Sequence, residues 1–191
     1  LPTAGGVPLQ LLPKEINGVR IIGIDVPGFG VPTHAEAKDI LAAAMLKVAR
    51  SEIEMGPVAS PRQKQSDMPS VTLLGEIFPV DPISISMMLE KMNLSVGPVV
   101  PTREWRELYS AFNGSVIAAL HPFYSACVRE FEAAGRPVVG SAPVGVDGTN
   151  NWLEKIGLVA DVARKKIDEA KNSILPLIKQ IMEDSLATVK L

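Results

Sequence analysis

Short β-branched runs alternate along the chain with stretches whose apolar residues recur at helical spacing. The first run, Arg20-Ile21-Ile22-Gly23-Ile24-Asp25-Val26, reads as a strand that ends in the turn-rich segment Pro27 to Pro32. Thr33 and Glu36 then stand at capping-box spacing, with the Thr33 hydroxyl placed to accept a backbone N–H of the first helical turn. Ile40, Leu41, Ala44, Met45 and Val48 continue as an apolar stripe, so this part predicts strand, loop and helix. Residues 54–70 are rich in proline and polar side chains and show no period. They read as a mobile surface linker.

The alternation becomes regular from Val71. Val71 to Gly75 predicts a strand, and Asp81-Pro82 opens a helix whose buried face is Ile85, Met88, Leu89 and Met92. Met87, Met88 and Met92 together read as core. Val96 to Val100 predicts a strand, followed by a short helix capped by Thr102 and carrying Trp105, Leu108 and Tyr109. Ser115 to Leu120 is the next strand. Ser125 opens a helix with Val128 and Phe131, and Gly135 ends it. Pro137 to Gly140 gives a further strand, then a Gly/Pro/Asp loop and a helix around Trp152 and Ile156. Asp161 to the end reads as one long helix with Ile167, Ala170, Ile174, Ile178 and Ile181 on one side, kinked or broken at Pro176. The fold class that follows is α/β: a Rossmann-like parallel sheet with helices on both faces and right-handed crossovers, plus a long C-terminal helix.

Composition narrows the function. At 191 residues the chain bounds one to two domains, and at 47% hydrophobic it can fill an ordinary core. Its 19 basic residues do not outnumber 21 acidic ones, so nothing points to nucleic acid. Cys127 is the one cysteine, and His34 and His121 are far apart, so a self-contained zinc or iron–sulfur site is not expected. No apolar run reaches the roughly 18 residues that span a bilayer. The start, Leu1-Pro2-Thr3-Ala4, lacks the pattern of a signal peptide and reads as a cut inside a longer, cytoplasmic protein.

Ligands of parallel sheets bind at the carboxyl ends of the strands. Four predicted loops fall there: Pro27 to Pro32, Glu76 to Asp81, His121 to Tyr124, and Ser141 to Gly148. His121 directly follows an apolar strand and precedes Pro122-Phe123-Tyr124. It reads either as a ligand contact or proton donor beside an aromatic platform, or as a histidine that caps the strand end through a backbone hydrogen bond. Glu76 reads as an acid or partner contact, or as a hydrogen-bond partner of a neighbouring loop. His34, in the first turn of a helix, favours a neutral imidazole with a structural hydrogen bond. Gly28-Phe29-Gly30 and the run from Gly140 to Gly145 look loosely like phosphate loops, but neither fits a nucleotide motif, and Pro143 lacks the N–H that a phosphate cradle uses. Cys127 near a helix start could be a stabilised thiolate, yet a buried small hydrophobe is the simpler reading.

Three strings carry a resemblance. They are Ile24 to Lys38, Gly97 to Tyr109, and the stretch from His121-Pro122-Phe123-Tyr124 through Arg129-Glu130-Phe131-Glu132 to Gly145. They resemble the Y subunits of chlorophyllide a reductases, nitrogenase-like enzymes of bacteriochlorophyll synthesis. The likeness runs from Leu1 to about Gly157. More distantly the chain is similar to the catalytic subunits of nitrogenase and of dark-operative protochlorophyllide reductase, which are built from three Rossmann-like domains. The resemblance therefore implies that residues 1–53 end a first domain, 54–70 link, 71–160 form a second domain, and 161–191 lead towards a third.

It also implies a reaction. An ATP-dependent iron–sulfur reductase, subunit X, passes electrons to a heterotetramer of subunits Y and Z. A [4Fe-4S] cluster between Y and Z relays them to chlorophyllide a, and one ring B double bond is reduced. The cluster cysteines of these proteins lie in a part of the first domain that has no counterpart here, and Cys127 does not match them. Pro27, Gly28 and Phe29 resemble a loop near the cluster region. His121 to Tyr124 resemble the segment that faces the metal cofactor in nitrogenase, with Pro122 where nitrogenase has a ligating cysteine. An aromatic loop facing a flat macrocycle fits that change, which makes His121, Phe123 and Tyr124 expected substrate-pocket residues; Glu76, at its strand end, is a further pocket candidate. The rival readings are a subunit of protochlorophyllide reductase and a non-catalytic α/β module that binds a tetrapyrrole.

Overall fold

The computed structural model describes residues 8–25, 30–58, 68–75, 82–140 and 142–188. Near its start Glu15–Ile16 (β1) and Val19–Arg20 (β2) pair antiparallel. Asn17 and Gly18 join them with φ of 51° and 77°, the left-handed pair that a two-residue hairpin turn demands. The expected strand from Arg20 to Val26 is not formed. Arg20 belongs to the hairpin, residues 21–25 have no strand partner, and Val26 lies outside the described residues. An apolar run becomes a strand only where a neighbour takes its backbone N–H and C=O groups.

Thr33 caps α1 (His34–Met55) as its position implies, its Oγ1 accepting the Glu36 N–H at 3.2 Å. The helix continues into the segment read as a linker before stopping at Gly56, and residues 59–67 of that segment lie outside the described residues. The buried face of α1 differs from the apolar stripe. Asp39, Ala42, Ala43, Leu46 and Ala49 are buried, whereas Leu41 is exposed. A small-residue face lets α1 lie close to the helices Ser125–Ala133 and Trp105–Ala111, and the charged member of that face caps the first of them.

Four apolar runs form one parallel sheet: β3 (Ser70–Leu74), β4 (Ser95–Val100), β5 (Val116–Ala119) and β6 (Val138–Val139), in the order β4-β3-β5-β6. The connecting helices are α2 (Pro82–Lys91), α3 (Trp105–Ala111), α4 (Ser125–Ala133), α5 (Gly145–Val159) and α6 (Arg164–Thr188). The expected cap Asp81 of α2 lies outside the described residues. Thr102 does not cap α3. Its hydroxyl donates to the Glu104 carbonyl, and Glu104 with Glu107 forms the capping box instead.

Strand residues alternate between two cores, as the two-residue period of a strand requires. Val71, Leu73, Val116 and Ala118 meet Ile85, Leu89, Met92, Trp152, Ile156 and Ile167 from α2, α5 and α6. Leu74, Val100 and Ile117 meet Ala42, Leu46, Leu108, Phe112, Cys127 and Phe131 from α1, α3, α4 and the end of α3. The fold is therefore the expected α/β parallel sheet with helices on both faces. Met87 departs from its reading as core: it is exposed, on the outer side of α2.

The first turns of α6 pack on α2 and α5 through Ile167 and Ala170. Gly157 permits this approach, since a Cβ there would lie 2.5 Å from Ile167 Cδ1 and Cγ1. Further along, Ile181 and Leu186 are exposed. Pro176 does not end the helix, which runs on to Thr188. Among the described residues no helix is long and apolar enough to cross a membrane.

Candidate functional site

The strand order locates a crevice. From β3 the chain moves outward to β4, then returns past β3 to β5 on the other side. The loops after β3 and β5 therefore diverge, and the gap between them is the topological switch point where ligands of such sheets bind. Gly75 ends β3 at this point with φ of 124°, and its N–H donates to Val100 O at 2.8 Å. On the other side the Leu120 N–H donates to Leu74 O at 2.7 Å. The second bond draws the β3 and β5 ends together, and a Cβ on Gly75 would stand 2.9 Å from His121 Cβ.

His121 and the two residues after Pro122 form an aromatic corner beside that contact. The His121 ring lies 5.0 Å from the Phe123 ring, tilted, and 5.9 Å from the Tyr124 ring, edge to face. Tyr124 is buried, His121 is partly buried, and Phe123 is 49% exposed. The corner thus rests on a buried tyrosine and offers an apolar ring outward. The Phe123 N–H points at His121 Nδ1 at 3.4 Å, so the proton of a neutral His121 ring sits on Nε2. The backbone hydrogen bond and the exposed platform coexist in the same loop.

The corner leads straight into α4, and α4 has no local side-chain cap. Asp39 of α1 supplies one. Its Oδ2 accepts the Ala126 N–H at 2.7 Å and its Oδ1 accepts the Cys127 N–H at 2.8 Å, with the residue only 3% exposed. A negative charge at the positive end of a helix is favourable. Farther along, Arg50 of α1 pairs with Glu130 of α4 at 3.1 Å. Sequence periodicity misses Asp39 because a charged residue is scored as outward-facing. The signal that could find it is its place in the 39, 42, 43, 46, 49 register of small and apolar residues.

Cys127 is buried, and its Sγ donates to the Asp39 carbonyl at 3.5 Å. Burial, reinforced by the nearby Asp39 carboxylate, pushes its thiol far above the ordinary range. It is a protonated core residue, as its simpler reading had it. An iron–sulfur cluster needs several accessible thiolates. With one cysteine in the chain, and that one buried and protonated, these residues do not fit such a cluster. Among the described residues no three His, Cys, Asp or Glu side chains gather as a metal site.

A cleft of about 680 Å³ opens on the other side of Gly75, between α1, the end of β4 and α3. Leu41, Met45 and Val99 give it apolar walls, with Lys38 and Arg103 among its lining. Glu107 also borders it, but its carboxylate is occupied by the Arg103 and Glu104 N–H groups.

A second polar cluster joins residues that carry no local sequence signal. The Glu52 carboxylate pairs with Arg20 and accepts the Tyr109 hydroxyl at 2.5 Å, while Trp105 Nε1 donates to the Tyr109 oxygen at 2.8 Å. It ties the β1–β2 hairpin to α1 and α3, far from one another in sequence.

Of the remaining expected site residues, Glu76, Pro27, Gly28 and Phe29 lie outside the described residues, as does Ser141 of the last loop. His34 is exposed at the start of α1, and among the described residues it makes no hydrogen bond, contrary to its structural reading.

Residues 1–191 match the family described as Nitrogenase component 1 type Oxidoreductase. The chain belongs to this family. Within it the chain is 64% identical over 179 residues to the Chlorophyllide reductase 52.5 kDa chain of Cereibacter sphaeroides, and 63% identical over the same length to that of Rhodobacter capsulatus. Each alignment covers 94% of this nitrogenase component 1 type chain and 36% of the relative. Likeness to the Light-independent protochlorophyllide reductase subunit N of Nostoc sp. is lower, 29% over 125 residues, covering 61% of this chain and 26% of the relative. The chain spans about a third of the length of the first two curated relatives.

Proposed function

We propose that the chain is part of the Y subunit of chlorophyllide a reductase and forms one wall of its substrate pocket. The observation that carries this reading is the 64% identity to a chlorophyllide reductase chain across almost the whole length, against 29% over a shorter stretch for a protochlorophyllide reductase subunit. The geometry agrees with it. A half-exposed Phe123 ring beside His121 at the switch point is an apolar, aromatic surface of the kind that receives a flat macrocycle. In this reading Phe123 stacks or edges against the tetrapyrrole, Tyr124 holds the loop from beneath, and His121 presents its Nε2–H as a hydrogen-bond donor. Glu76 is a further candidate for the same pocket.

The rest of the machinery lies outside these residues. We assign the [4Fe-4S] cluster to other parts of a Y/Z heterotetramer, with Pro27, Gly28 and Phe29 near its region, and ATP to the partner reductase X. The complex works in the cytoplasm on chlorophyllide a, reducing a ring B double bond by two electrons. Residues 1–53 end a first domain, 54–70 link, 71–160 make the second domain, and 161–191 lead to a third. The chain by itself is inactive.

The test is an anaerobic assay of the full-length protein with its Z partner, reductase X and ATP. Loss of chlorophyllide a absorbance with no turnover of protochlorophyllide is the expected result. Turnover of protochlorophyllide alone, or of neither pigment by an intact complex, overturns the assignment.

A further inference from the structure

We infer that Asp39 is a positioning residue for the aromatic wall: through the first turn of α4 it holds Tyr124, Phe123 and His121 in place. The inference rests on the reading of that loop as a substrate wall, and its physical basis is separate.

The first N–H groups of a helix have no partner within the helix. In α4 the residue at the cap position is Tyr124, whose side chain makes no cap bond. Both carboxylate oxygens of Asp39 are used instead, one on Ala126 and one on Cys127, at 2.7 and 2.8 Å. The carboxylate comes from α1, 87 and 88 residues away in sequence, so the link is tertiary. Tyr124 is tied to that turn in its own right, because its carbonyl accepts the Val128 N–H at 3.1 Å. Tyr124 is adjacent to Ser125, and the His121 ring packs against both Phe123 and Tyr124. The first turn of α4 thus anchors the downstream end of the corner through Tyr124, while the Leu120 N–H bond to Leu74 O anchors its upstream end.

Other contacts keep α1 docked without Asp39. Arg50 still pairs with Glu130, and Ala42, Leu46 and Ala49 still share a core with Phe131. Removing the carboxylate should then disturb the start of α4 and the loop before it while leaving the fold in place. Asp39→Asn is the sharpest variant, because an amide keeps the shape yet turns one of the two acceptors into a donor facing an N–H. A hydrogen bond to a charged acceptor is among the stronger ones, so its loss is felt as about a tenfold change or more.

Two measurements decide the matter. In the 191-residue chain, Asp39→Asn should cut hydrogen-exchange protection of the Ala126 and Cys127 amides by about tenfold or more. It should also shift the His121 ring resonances, assigned against His34→Gln. In the full complex, Asp39→Asn should raise KM for chlorophyllide a by about tenfold with kcat changed less, normalised to an unaltered cluster absorbance. Lost amide protection with unmoved His121 resonances and an unchanged KM would reduce Asp39 to a helix cap and overturn the inference. If the wild-type complex does not turn over chlorophyllide a, the functional reading fails, and the His121 resonances alone then decide whether Asp39 positions the loop.

Discussion

Gly75 and His121 approach so closely that no side chain fits between them: a Cβ on Gly75 would meet His121 Cβ at 2.9 Å and its backbone N at 3.1 Å. The same glycine has φ of 124°, a conformation costly for any other residue. Gly75→Ala is therefore expected to cost about 2 kcal/mol, from backbone strain and forced separation of the β3 and β5 ends. Urea unfolding of the purified chain checks this, and an unchanged midpoint would show that the two loops are not held as described.

The aromatic corner makes a prediction in the assembled enzyme. His121→Ala and Phe123→Ala should each lower kcat/KM for chlorophyllide a, by about tenfold for Phe123 as the larger exposed surface. The iron–sulfur absorbance should not change, because the cluster is assigned to other parts of the complex. Equal kinetics for wild type and both variants would leave the corner a purely structural feature.

Glu52 predicts an acid-sensitive clasp. Burial pushes its carboxyl up, but hydrogen bonds from Arg20 and Tyr109 outweigh burial and hold it below the ordinary range. A group lowered on folding contributes stability that is present above its unfolded pKa and lost as pH falls through the folded one. The loss therefore begins near the usual carboxylate value of about 4.3 and continues downward. Wild type should be more stable than Glu52→Gln at neutral pH, and the gap should shrink by about pH 3.5. A gap that stays constant across this range, measured by denaturant unfolding, would contradict it.

Gly157 and Ile167 govern how α6 sits. Gly157→Ala pushes a methyl group into the Ile167 side chain and is expected to destabilise by about 1–3 kcal/mol. Ile167→Val in the same background should recover part of this, giving a coupling energy between the two sites. Additive effects would show that α6 does not pack on α5 through this pair.

The parallel sheet and both layers of helices are legible in the sequence from Val71 onward, because β-branched runs and helical stripes there alternate without interruption. The N-terminal part is less so. Ile21 to Asp25 has strand composition but, among the described residues, no strand to pair with, and pairing is a property of the whole fold. The α1 stripe misleads for a related reason. Apolar residues such as Leu41 face a cleft, while the buried face is built from alanines and a carboxylate that a distant helix requires. His121, Phe123 and Tyr124 could be singled out from their place after a strand, whereas Asp39 and the Glu52–Tyr109 pair act across 87 and 57 residues and leave no local trace.

The position of the substrate is open to direct measurement. In a structure of the assembled complex with chlorophyllide a bound, the macrocycle is predicted to contact the Phe123 ring within about 4 Å, with a substrate polar atom facing His121 Nε2. A macrocycle seated elsewhere, out of contact with residues 121–124, would contradict the assignment of this loop as the pocket wall.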